Sequence, residues 1–552
     1  FGHGNLLTAY CVFGLVKPRR SSGVDEPRPE QFPYLRLPIV DMPKSSSVLV
    51  VVLLFLYACA DDPAPAREFC VADEDKRFTQ MACNPATGIG FKNELDYTEQ
   101  LNPYTYRNFY NGGGVGLGDF DGDGLQDVYF AGNLVDNRLY LNKGNWHFED
   151  VTEAAGVASA DSWSTGVAVV DIDADGDQDI YVCKAGPPAG EQIAGMTGVR
   201  HNELFLNNGD ATFREASAEF GLDIVGLSVQ AAFFDYDQDG DLDCYLLNNS
   251  TRSTTGYNAK KGLREIPDPE GGNKLLRNMT MERALRSASP SVSASLTTSS
   301  LSSGEGLGEV ERAKRASTAT TPATSVQTTF EDATQSANIY SSAIGFGLGV
   351  TVGDINEDGL PDLFVSNDYF ERDYLYFNNG DGTFKEDLIA HMPEISKGSM
   401  GADFADLTGD GLPELFVTEM LPRTEKRRKT KAAFDNWNRY QLYRDEGYHQ
   451  QFSRNVLQWN RGGGRFSEIG RMVGVDATDW SWGALLFDMD NDGKRDIFVA
   501  NGVGKDLLDQ DYINFDANPA AIRRLIKDEG KTITDLIDKI PSEKLLFSRG
   551  IS

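Results

Sequence analysis

Histidine is scarce in this chain, with five in 552 residues. None of His3, His147, His201, His391 or His449 stands in a Ser/His/Asp or His/Glu arrangement, so imidazole offers little for acid–base or nucleophilic catalysis. Positive charge is also short: 52 Lys and Arg against 83 Asp and Glu leave a formal charge of −31. Such a chain is a poor partner for nucleic acid or an anionic membrane surface, since both are polyanions. The apolar run from Val48 to Ala58 is too short to span a bilayer. The six cysteines show no metal-binding spacing. Cys70 and Cys83 are candidates for a disulfide in an oxidising compartment, whereas Cys183 and Cys244 fall in strand runs or at their ends and read as small buried hydrophobes.

What the chain has in plenty is one carboxylate loop. It first runs Asp119-Phe120-Asp121-Gly122-Asp123-Gly124-Leu125-Gln126-Asp127, with oxygen-bearing side chains at positions 1, 3, 5 and 9. The same four positions are Asp171, Asp173, Asp175 and Asp179, then Asp235, Asp237, Asp239 and Asp243. They return as Asp354, Asn356, Asp358 and Asp362, as Asp406, Thr408, Asp410 and Glu414, and as Asp488, Asp490, Asp492 and Asp496. Of these 24 positions 22 are carboxylates, which explains much of the net charge. Oxygen ligands at alternate positions, with a glycine that lets the backbone turn sharply, suit a hard cation the size of Ca²⁺.

Position 12 decides which kind of calcium loop this is. An EF-hand needs a bidentate Glu there, between two helices. Here the position holds Phe130, Val182, Leu246, Val365, Val417 and Val499, inside short apolar runs that read as buried strands. The loop therefore joins two strands, and position 9 has to close the cage. Small residues precede each loop, as in Gly112 to Gly118, Gly166 and Gly401, which suits strands converging on a crowded axis. The glycine run at Gly112 is not a phosphate loop, because no Gly-Lys-Ser/Thr follows. A second hairpin follows most loops, at residues 137–150, 202–215, 373–386 and 455–468. Loop starts at 119, 171, 235, 354, 406 and 488 set a unit of about 50 residues with insertions. Four strands at that period predict an all-β fold, a β-propeller.

The flanks and insertions read differently. Phe1 is not an initiator Met, and residues 1–41 read as a doubtful leader. Residues 42–59 read as a signal peptide, in which Leu56-Tyr57-Ala58-Cys59 resembles the bacterial lipobox and would carry a lipid on Cys59. Residues 60–86 suit a tether, and 279–329, rich in Ser, Thr and Ala, a disordered insertion at the turn of one hairpin. The segment 421–454 is basic and then aromatic; it reads as a solvated helical loop, or alternatively as a ligand-contacting loop.

The repeated loop resembles the FG-GAP or VCBS repeats, whose calcium loops also occur in the integrin α propeller. Stretches such as Asn108-Phe109-Tyr110-Asn111-Gly112-Gly113-Gly114, residues 366–375 and Ala477-Thr478-Asp479-Trp480-Ser481-Trp482 look like bacterial surface lipoproteins that pair this propeller with an ASPIC/UnbV domain. The resemblance covers residues 87–545. It implies a seven-bladed propeller over 87–505, with Ca²⁺ held by side chains at positions 1, 3, 5 and 9 and by the carbonyl at position 7. Six calcium-loop blades are visible, and residues 506–552 read as a truncated helical segment ending about where similar proteins begin a further blade. Asn356, Thr408 and Glu414 depart from the pattern, so the fourth and especially the fifth loop are expected to bind more weakly.

The functional expectation is a calcium-stabilised, non-catalytic binding or adhesion module, recognising a glycan or protein ligand at the bacterial cell envelope and touching the membrane only through Cys59. The alternative is a calcium-dependent polysaccharide lyase or hydrolase, since some such enzymes also use propellers.

Overall fold

Each carboxylate loop closes an antiparallel pair of strands. The computed structural model describes residues 87–186, 196–250, 262–280, 328–432, 436–503, 505–541 and 548–551. The chain divides into two compact units, and all the described residues lie in the one that excludes residues 12–81. The leader, the signal segment with Cys59, the tether, Cys70 and Cys83, and most of the 279–329 insertion lie outside the described residues.

The first sheet is a four-stranded antiparallel meander of Val115–Gly118, Asp127–Phe130, Arg138–Asn142 and Phe148–Asp150. Equivalent four-stranded sheets occupy residues 164–215, 228–332, 347–386 and 402–468. A sixth, over residues 481–551, has three strands among the described residues. The insertion does open a hairpin at its turn: Lys274–Asn278 still pairs with Phe330–Asp332 across it. At the other end, the helical C-terminal segment does not stay outside the sheets. Its last strand, Ser548–Ile551, pairs with Asp496–Asn501 as the third strand of the sixth sheet.

The second strand of each of the first five sheets is buried along its length, which is why its central residues are apolar. Val182, Leu246, Val365, Val417 and Val499 are fully buried and Phe130 nearly so. Cys183 and Cys244 are also buried and free, packed as the sequence suggests. Five apolar clusters join consecutive sheets. One sets Tyr129 and Leu139 of the first sheet against Ile180 and Phe205 of the second, and the series continues to Phe416 and Leu457 against Ile497 and Val499. This is the layered packing of propeller-like blades.

The first strands of successive sheets lie side by side, and their glycines permit it. A Cβ on Gly114 would strike the carbonyl of Thr165, one on Gly166 that of Val229, and one on Gly401 that of Trp482. In such a meander the connections 1–2 and 3–4 emerge at one end of a sheet and 2–3 and 4–1 at the other. All six carboxylate loops are 1–2 connections.

The basic segment forms two helices, Glu425–Lys431 and Trp437–Asp445. Its cations are partly neutralised by acids later in the chain: Arg427 pairs with Asp479 and Asp506, and Lys431 with Asp506 and Asp509. The two flanks of the sheet array also meet. Glu99 accepts hydrogen bonds from the backbone N–H groups of Ile533 and Thr534, at 3.1 and 3.0 Å, at the start of helix Ile533–Asp538.

Candidate metal centres

One hydrogen-bond network shapes every loop. The position 1 carboxylate takes the N–H groups of positions 5 and 6. In the first loop Asp119 accepts from Asp123 at 3.0 Å and Gly124 at 2.9 Å, and Asp171, Asp235, Asp354, Asp406 and Asp488 repeat the pattern. Position 5 in turn accepts from the N–H of position 7, as Asp123 does from Leu125 at 2.8 Å. These bonds curl the backbone so that the side chains converge. The curl also demands left-handed backbone at position 4, where Gly122, Ala174, Gln238, Glu357, Gly409 and Asn491 all have φ between 58° and 75°.

Position 9 sits deepest. Asp127 is buried, accepting from the N–H of Phe120 at 2.9 Å and of Asn142 at 2.7 Å. Asp179, Asp243 and Asp362 make the equivalent two bonds. Burial pushes these carboxyls up, to about 6 for Asp127, 7 for Asp179, 8 for Asp243 and 7 for Asp362, against the downward pull of the backbone donors. A counter-ion beside such a buried carboxylate, which has like charges next to it, favours its ionised form.

The residues fit such an ion in four loops. Carboxylate oxygens of Asp119, Asp121 and Asp127 lie within 4.8 Å of one another, as do those of Asp171, Asp173 and Asp179, of Asp235, Asp237 and Asp239, and of Asp488, Asp490 and Asp492. Oδ1 of Asp121 and Oδ1 of Asp237 are buried without a hydrogen-bond partner, which is what a ligand atom looks like without its cation. Cations of the chain lean on the same groups, Lys143 on Asp121 at 3.2 Å and Arg277 on Asp237 at 2.7 Å.

The fourth and fifth loops gather no such triad. In the fourth, Asn356 turns its amide to Asp358 at 2.9 Å. In the fifth, Thr408 brings no carboxylate, and the longer Glu414 spends one oxygen on Leu407 and Thr408 while its Oε1 is left without a partner.

Two features of the loops escape a reading by position alone. Position 2 is a buried plug: Phe120, Ile172, Tyr236, Ile355 and Met489 are at most 4% exposed. In the first five sheets an asparagine ending the third strand ties its loop down, and in three of them it also reaches the sheet before it. Asn207 donates to the carbonyl of Phe120 at 2.9 Å, and Asn460 to that of Ile355 at 3.1 Å. The recurrence of Asn142, Asn207, Asn278, Asn378 and Asn460 after apolar strands was the available signal.

All the carboxylate loops but the third fall within a repeat found in known proteins. The FG-GAP-like repeat family matches residues 119–182, 354–417 and 447–499. The cartilage acidic protein 1 of Xenopus tropicalis is 28% identical over 195 residues, which cover 34% of this chain and 27% of that protein. The chain thus matches about a quarter of that relative's length. Among solved structures, the V. cholerae biofilm matrix protein Bap1 aligns with a TM-score of 0.29 and 12% identity over 64% of this chain and 38% of that one. The Photorhabdus luminescens Tc holotoxin pore aligns with a TM-score of 0.27 and 13% identity over 70% and 13%. The chain carries FG-GAP-like repeats, several of whose aspartate triads could hold a metal ion.

Proposed function

We propose that this protein is a calcium-loaded, non-catalytic binding propeller of the bacterial cell surface, recognising a glycan or protein ligand. The observation that carries the reading is the repetition of one loop network at the same end of six sheets. A device repeated in every blade serves the scaffold, and an active site would need one constellation unlike the others. The ion is Ca²⁺ because the ligands are all oxygens, flexible in number and partly backbone. Asp, Asn, Thr and Glu at positions 1, 3, 5 and 9 hold it, with the carbonyl at position 7, most tightly in loops one, two, three and six. The resemblance to ASPIC/UnbV-associated lipoproteins supports seven blades in the full propeller and anchorage through Cys59. Ligand recognition falls to the 2–3 and 4–1 connections, which differ from blade to blade.

A glycan array probed with the protein in calcium and in EGTA tests the reading. Binding in calcium that is lost in EGTA supports it. Release of unsaturated products from a polysaccharide panel in the presence of calcium would replace it with the lyase alternative.

A further inference from the structure

At the end opposite the carboxylate loops lies a cavity of about 180 Å³. It is built from the 2–3 connections of the fourth and fifth sheets, which supply Asp368, Tyr369 and Glu419, and from the 4–1 connection between them, which supplies Lys397 and Gly398. Glu419 is 5% exposed, and its Oε2 has no hydrogen-bond partner. Its carboxylate is also supported by the N–H groups of Met420 and Leu421. A desolvated polar atom on a residue lining a cavity is a liability to the fold alone. Desolvation pushes Glu419 up to about 8, with Asp368 adding repulsion and Lys397 opposing it.

The surroundings narrow what would satisfy that oxygen. Lys397 attracts both Glu419 and Asp368, and Arg107 attracts Asp368, so the two carboxylates face two cations and a further cation finds no excess negative charge to neutralise. A ligand that both donates and accepts hydrogen bonds while carrying no charge fits better. Tyr369 adds an aromatic ring in a left-handed backbone conformation, φ 68°, propped edge-on against Phe346 at 4.9 Å. A non-glycine residue held there is strain of the kind kept at binding sites. The volume has room for about six waters, which one pyranose would displace. Gly398 keeps the floor open: a Cβ there would lie 3.1 Å from Asp368 Oδ1 and 3.5 Å from Glu419 Oε1.

We propose that this cavity is a subsite for one neutral pyranose of a glycan, its neighbouring hydroxyls bonded to Glu419 and Lys397 and its apolar face set against Tyr369. The proposal rests on the surface-binding reading above and narrows it to one ligand class and one place.

The test uses the whole calcium-loaded chain. Saturation-transfer NMR with methyl α-glucoside, methyl α-mannoside and methyl β-galactoside should show binding of at least one. Gly398→Val should abolish it, and at about pH 9, where Glu419 is ionised, Glu419→Gln should weaken it about tenfold, the loss of one charge-assisted hydrogen bond. Both variants should keep the calcium-dependent melting transition of the parent. Silence of all three glycosides, undiminished binding by Gly398→Val, or preference for methylguanidinium chloride would each overturn the subsite. A glycan array run with the parent and Gly398→Val separates the two readings. Equal binding by both leaves the surface-binding reading standing without this subsite, whereas loss in the variant alone supports the subsite.

Discussion

The side-chain amide of Asn378 donates to the carbonyl oxygen of Tyr236, 142 residues earlier, at 2.7 Å. The same amide reaches Pro361 at 3.3 Å, while the Asn378 backbone N–H bonds to Asp362. One buried residue thus joins the fourth sheet to the loop of the third and holds the deepest carboxylate of its own loop.

Replacing Asn378 by Ala leaves two carbonyls short of a donor and should cost about 1–3 kcal/mol. Urea unfolding of the calcium-loaded protein measures it. The exposed neighbour Asn379 serves as control, and Asn379→Ala should change stability by less than about 0.5 kcal/mol. Equal effects of the two substitutions would refute the bridging role.

Short-range features of this fold are legible in the sequence, and long-range ones are not. The apolar position 12, the paired hairpins and the small residues before each loop are local patterns, and the buried Val182 and Leu246 and the close approach of Gly166 to Val229 follow from them. The asparagine bridges are not local. Asn378 before Asn379 and Gly380 reads as an ordinary turn residue, and only the stacking of sheets shows where its amide goes. The basic segment shows its charge in the sequence, yet Arg427 and Lys431 find their acids at Asp479, Asp506 and Asp509, some 50 to 80 residues on. The strand Ser548–Ile551 lay hidden behind helices.

Loop five provides a test of the ligand set. Calcium titration against a chromophoric chelator should resolve a tighter class of sites from weaker ones. Restoring the pattern with Thr408→Asp and Glu414→Asp should add one site to the tighter class, because the shorter carboxylate brings both oxygens back to their backbone donors. An unchanged number of tight sites would argue against positions 3 and 9 as ligands.

Left-handed backbone at position 4 offers a way to stabilise the scaffold. Ala174 has φ 58°, where Gly122 and Gly409 occupy the same place without steric penalty. Ala174→Gly should stabilise the protein by about 1 kcal/mol or less, the relief of the left-handed conformation reduced by the added freedom of the unfolded chain. Gly122→Val should destabilise it. Thermal melts in calcium decide this, and a lower melting temperature for Ala174→Gly would contradict the backbone argument.

Calcium removal should be felt most at alkaline pH. In the cation-free folded protein the buried carboxyls of Asp127, Asp179, Asp243 and Asp362 hold their protons up to about pH 6, 7, 8 and 7. Unfolded, they release them near pH 4. The folded state therefore binds more protons than the unfolded state across that interval, and the stability of the cation-free form falls as pH rises from about 4 to 8. Bound calcium replaces those protons as the counter-charge, so the loaded form should be far less sensitive. The gap in melting temperature between calcium and EGTA should be small at pH 5 and wider at pH 8 by about 5 °C or more. A gap that stays constant, or that narrows as pH rises, would show that position 9 does not face the ion.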